Sequence, residues 1–151
     1  MAIINEGEAR STFSRLAQGN ELNAVAEYFL NAMTQKLQSS QYAAKGVQAT
    51  KRDPRTVAIV TPHGEVICNV DHVRLDAEVA ARLTFSAIRK DIGGNVSGSE
   101  ILVVVIAADW CIEKISDRTA TGRFGPGFGD TSIDEINVLM LSRLHDSLEQ
   151  V

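Results

Sequence analysis

The chain has 151 residues, 44% of them apolar and 23% charged, with 15 basic against 19 acidic side chains for a net charge of -4. That length and apolar share suit one compact domain with a real core. They exclude a disordered chain, a collagen and a disulfide-stapled miniprotein. A pI near 5.3 disfavours nucleic acid and anionic lipid as partners of the whole surface. The one basic stretch is Lys45, Lys51, Arg52 and Arg55, with Asp53 among them.

Residues 1–19 are expected to be a tail or a short leading helix, because Phe13 and Leu16 make only one apolar pair. No basic leader with a long apolar run is present there, and the longest apolar run, Ile101 to Ala108, is far below the ~20 residues of a membrane span. A cytoplasmic, membrane-free protein is the expectation. Two cysteines far apart, Cys68 and Cys111, fit no disulfide framework.

From residue 20 to 151 a single domain is predicted. Leu22, Ala26, Phe29, Met33 and Leu37 recur at helical spacing over Glu21 to Ser39, with Asn20 as the expected cap. Residues 40–55 lose that period and read as a loop with one short extended piece. Thr56 to Thr61 and Glu65 to Val70, either side of Pro62-His63-Gly64, predict an antiparallel hairpin with Val66, Cys68 and Val70 on one face.

Asp71 is read as the cap of a helix running to Ile92 and stopped by Gly93-Gly94. On that helix Leu75, Val79 and Leu83 fall on one side, and Phe85, Ile88 and Ile92 well round from them. Two apolar sides demand two coverings, so one is assigned to the sheet and one to a second helix or subunit. Glu100 to Ala108 predicts a central strand, and Cys111 to Ile115 a more exposed one. Ser132-Ile133-Asp134-Glu135 has the form of a capping box, opening a helix with Ile133, Ile136, Met140, Leu144 and Leu148 on one face.

The expected fold class is therefore α+β: an antiparallel sheet of about five strands with helices packed against it, in the order helix, hairpin, helix, strands, helix. Val57-Ala58-Ile59-Val60, then Gly64-Glu65-Val66-Ile67, then Asp76-Ala77-Glu78-Val79-Ala80-Ala81 resemble the roadblock family of dynein light-chain-like modules, within a wider profilin-like group, over about a quarter of the chain. The resemblance implies dimerisation through the helix after the hairpin and a scaffold or regulatory role towards small GTPases. GAF-like sensors and the haem-degrading family share the same element order.

No set of residues in the sequence assembles a reaction centre. Trp110-Cys111 lacks a resolving thiol, since Lys114 stands three residues on. Cys68 and His72, even with His145, fall short of a four-ligand structural zinc site. Gly94-Asn95-Val96-Ser97-Gly98 is not a nucleophile elbow and reads as a turn, and His63 sits at a hairpin tip. No cofactor, metal or catalytic residue is expected. The most informative segment is Gly122 to Asp130, whose glycines permit close backbone approach ahead of a helix start. One reading makes Arg123, Gly125, Gly127, Gly129 and Ser132 an anion site, possible in an enzyme as well as in a binding protein. The other makes Phe124 and Phe128 anchors on an apolar surface of this domain or of a neighbour. The expected function is a non-catalytic, oligomerising scaffold or regulatory module, a homodimer or larger, with Leu75, Val79, Leu83, Phe85, Ile88, Phe124 and Phe128 as its contacts.

Overall fold

A computed structural model describes residues 3–116, 118–120 and 122–151 of the chain. It begins with α1 (Glu6–Leu37) and a short α2 (Ser40–Ala43). Seven strands follow in one meander: β1 (Gln48–Asp53), β2 (Thr56–Thr61), β3 (Gly64–Leu75), β4 (Glu78–Lys90), β5 (Val96–Ile106), β6 (Ile112–Ile115) and β7 (Arg118–Thr119). Helix α3 (Thr131–Asp146) closes the described chain. Every strand pairs antiparallel with its sequence neighbour, giving the spatial order β1 to β7. The class is α+β, as expected, but the sheet has seven strands rather than five, and the element order is helix, short helix, seven strands, helix.

The largest correction concerns residues 71–92, which form the end of β3 and all of β4 rather than a helix. A two-residue turn, Asp76-Ala77, reverses the chain, with Asp76 at φ 56° and Leu75 opposite Glu78. Helical spacing puts Leu83 and Phe85 on opposite sides, whereas strand spacing puts Ala81, Leu83, Phe85 and Ala87 on one face, and all four are buried. Arg82 and Asp71 face each other across the ladder on the other side, joined by two hydrogen bonds of 3.0 and 2.6 Å.

The register brings apolar side chains into rows: Ala49, Ile59, Val66 and Ala87; Val57, Cys68, Phe85 and Leu102; Val70, Leu83, Val104 and Ile115. These rows meet one face of α1 and one face of α3 in a single core. The expected α1 residues Leu22, Ala26, Phe29, Met33 and Leu37 are all buried in it, as are Ile133, Ile136, Met140 and Leu144 of α3. Leu148 lies beyond the helix end and is 37% exposed. Among the described residues no helix covers the reverse face of the sheet, which holds polar partners such as Thr56 with Asn69 and Arg52 with Glu65, as antiparallel sheets with one wet face do. On that reverse face of β5, Val103 is half-buried and Val105 is 8% exposed, so the strand is central with its reverse side only partly open.

Both predicted helix starts shift. Helix α1 begins at Glu6, because Asn5 and Glu8 cap it reciprocally: Asn5 Oδ1 accepts from the Glu8 N–H at 2.8 Å, and Asn5 Nδ2 donates to Glu8 Oε1 at 2.7 Å. Asn20 is therefore an interior position. The cap of α3 is Asp130, whose side chain makes no capping bond, and the Ser132 box does not form because the helix begins at Thr131 and places Ser132 inside it, its hydroxyl 3.5 Å from the Arg123 carbonyl. Residues 40–55, expected as a loop with one short extended piece, supply that piece as β1 and also the short helix α2. Val96 to Gly98, expected as a turn, opens β5. Among the described residues no helix is long and apolar enough to cross a membrane.

Candidate functional site

The Gly-rich segment is a folded knot rather than an open cradle. Arg123 bridges Cys111 and Gly125 bridges Gly129, which fold the chain back on itself. Phe124 points inward and is fully buried, edge-on to Phe29 at 5.2 Å and to Trp110 at 5.6 Å. Phe128 points outward, 53% exposed, with the Arg123 guanidinium 5.1 Å over its ring. Of the two expected anchors, one is spent inside the domain and the other is at the surface.

Asp130 closes this knot. Its carboxylate accepts from the Tyr28 hydroxyl at 2.9 and 3.0 Å and from the Gly125 N–H at 3.3 Å. The bond to Asp130 and then desolvation raise the Tyr28 pKa. Burial first, and then a 3.0 Å bond to Asp134, push Tyr42 up to about 12. Both chain tyrosines thus tie α1 and its successor α2 to the start of α3. A phenol held protonated in the fold stabilises it below the ordinary pKa near 10, and that contribution is lost as pH climbs towards 12. The native chain is therefore expected to show little tyrosinate absorbance at pH 10. Ionisation and loss of circular dichroism should rise together between pH 10 and 12; full ionisation at pH 10 in a folded chain would refute this.

The other sequence-predicted residues scatter. Leu83 and Phe85 are fully buried in the chain's own core, while Leu75, Val79 and Ile88 are half-buried along β3 and β4. Cys68 is wholly buried, which drives its thiol pKa up, while His72 lies at the surface with its Nε2 2.8 Å from Asn23 Oδ1. Lys51 and Arg52 of the basic stretch pair with Glu27 and Glu65 at 3.0 and 3.1 Å. Asp109, Cys111 and Glu113 bring ligating atoms within 4.8 Å of one another; desolvation and then Asp109 raise the Cys111 pKa, against the neighbouring Arg123.

The surface that the sequence undervalued is the start of α1. At 32 residues, α1 is about 48 Å long. Every residue from Arg10 to Ala17 is exposed, including Phe13 at 70% and Leu16 at 64%. At about 100° per residue Phe13 lies about 180° round the axis from core-facing Leu22, so this rigid helix cannot turn it back onto its own domain. Leu16 borders a groove of about 530 Å3 shared with Gly19, Asn23, His72 and Val79. The available signal was Asn5-x-x-Glu8, a helix start lying well before Asn20.

No family model, no curated protein and no solved structure matches the chain.

Proposed function

We propose that this protein is a non-catalytic, self-assembling interaction module whose contact element is the overhanging start of α1. The observation that carries the reading is the pair Phe13 and Leu16, largely exposed on a helix segment that touches little else. Isolated helices of this length are marginal in water, so the overhang draws its order from the cap, from the Glu6–Arg10 pair at 3.5 Å and from continuity with the packed half. Covering each of the two side chains contributes about 2 kcal/mol.

The partner that fits is a second copy. Ala9, Phe13 and Leu16 follow the i, i+4, i+7 spacing of a helix seam. An antiparallel pair of such segments covers Phe13 and Leu16 of each copy symmetrically. Half-buried Val79, with Leu16 on the rim of the same groove, supplies a neighbouring apolar patch.

Sedimentation velocity over a concentration series tests this. The native chain is expected to sediment as a dimer or larger, and Phe13→Asp with Leu16→Asp as a folded single copy, because both positions are exposed. A single-copy native chain at every concentration, or assembly indifferent to these changes, overturns the reading.

A further inference from the structure

A second surface, at the opposite end of α1, gathers positive and titratable side chains from four separate segments. A groove of about 450 Å3 runs between the β2–β3 turn and the outer side of α3. Its apolar lining is Val47, Val138 and Leu141, and its rim is Lys45, His63 and His145. The two imidazole rings stand 5.7 Å apart, centroid to centroid. Arg89 comes in behind the turn, donating to the His63 carbonyl at 3.4 Å and to Ser147 Oγ at 3.0 Å. That strap fixes the His63 turn against the end of α3. Gly64 leaves room for it: at φ 125°, a Cβ there would lie 3.1 Å from the Arg89 guanidinium.

Among the described residues, none that lines the groove is acidic. The nearest carboxylate in contact is Asp146, 3.8 Å from His145 Nδ1 and turned to solvent. In a chain of net charge -4, Lys45 and Arg89 make this a locally basic spot. The negative end of the α3 dipole accounts for a basic side chain there, His145. It does not account for Lys45, His63 and Arg89, which arrive from other elements. Apolar walls with a few converging polar groups, in a volume of a few hundred Å3, are the usual make-up of a small-molecule site.

We infer that this groove binds a phosphate monoester carried on an apolar body, the phosphate held by Lys45, His63 and His145 and the body lying on Val138 and Leu141. The Lys45 ammonium makes charge-assisted bonds to phosphate oxygens, and the ring N–H groups of His63 and His145 add hydrogen-bond donors beside it. The site is separate from the α1 overhang and stands or falls independently of assembly.

The test uses 1-naphthyl phosphate as probe, with 1-naphthol and inorganic phosphate as controls, followed by amide chemical shifts of the full chain. Saturable shifts confined to Lys45, His63, Val138 and His145 are expected with the ester. Naphthol should bind at least about tenfold more weakly, the scale of one charge-assisted contact. Lys45→Glu with His145→Glu should weaken the ester by about tenfold or more. Both positions are exposed, and if that variant failed to fold, the native chain's preference for ester over naphthol would still decide. Equal binding of ester and naphthol, no saturable shift, shifts that map elsewhere, or an unaffected folded variant each overturn the assignment.

Discussion

Replacing Phe124 by alanine is expected to lower the stability of the fold by about 3–5 kcal/mol, the range for deleting a buried phenyl ring. The upper part of that range applies here because the site cannot collapse. Its walls are Phe29 of α1, Trp110 at the end of the β5–β6 connection, and Tyr28, whose ring centroid lies 6.4 Å away. Each wall is fixed from elsewhere: Phe29 by the core, Tyr28 by Asp130, and the loop backbone by the Cys111–Arg123 and Gly125–Gly129 bridges. A domain stable by only 5–15 kcal/mol would lose a large part of its margin. Phe128→Ala, at an exposed ring that meets Arg123, should cost about 1 kcal/mol or less. Denaturant titrations of the two variants provide the comparison. Equal losses would mean that the loop is not anchored through Phe124.

The same contrast shows what the residues disclosed on their own. The second half of α1, the β2–β3 hairpin and α3 were legible because their apolar residues follow one period and face one core. Residues 71–92 were not. Leu75, Val79 and Leu83 fit a helical stripe, alanines fill the gaps between, and Asp76-Ala77 lacks the Asn-Gly or Gly-Gly signature of a two-residue turn. What decides for strand is the pairing of Leu83 with Val70 and Val104, long-range partners that local pattern does not choose. The expected two-sided helix disappears with that pairing, and the unburied apolar surface moves to Phe13 and Leu16. Those two were discounted because they make only one apolar pair in the sequence; their stripe lies on the side of α1 away from the core. In the Gly-rich segment, docking of a phenylalanine within the domain was among the sequence alternatives. The role of Asp130 was not, since Tyr28 lies 102 residues away along the chain.

Gly125→Ala is the other substitution with a large expected effect, and it separates two reasons for glycine in this loop. Gly125, Gly127 and Gly129 all sit in the left-handed region, at φ 91°, 86° and 74°. Backbone strain for a residue with a Cβ is about 1–3 kcal/mol in such conformations. At Gly127 and Gly129 that is the whole cost, since a Cβ there meets nothing within 4 Å. At Gly125 it would overlap Trp110 Cε3 and lie 2.8 Å from Cζ3. Trp110 has little room to yield. It is held at φ 69° and packs edge-on to Tyr28 at 5.2 Å. Moving the indole forfeits its contacts with Tyr28 and Phe124 and adds an overpacking cost of about 1–3 kcal/mol. Gly125→Ala should therefore lose about 3 kcal/mol or more and shift the fluorescence of Trp110, the chain's one tryptophan, while the other two glycine variants leave that emission unchanged. In a Trp110→Ala background the Gly125→Ala cost should fall to the backbone part alone, a coupling that a double-mutant cycle measures. Three equal costs and no coupling would show that the indole does not pack against this glycine, and the aromatic knot would lose its outer wall.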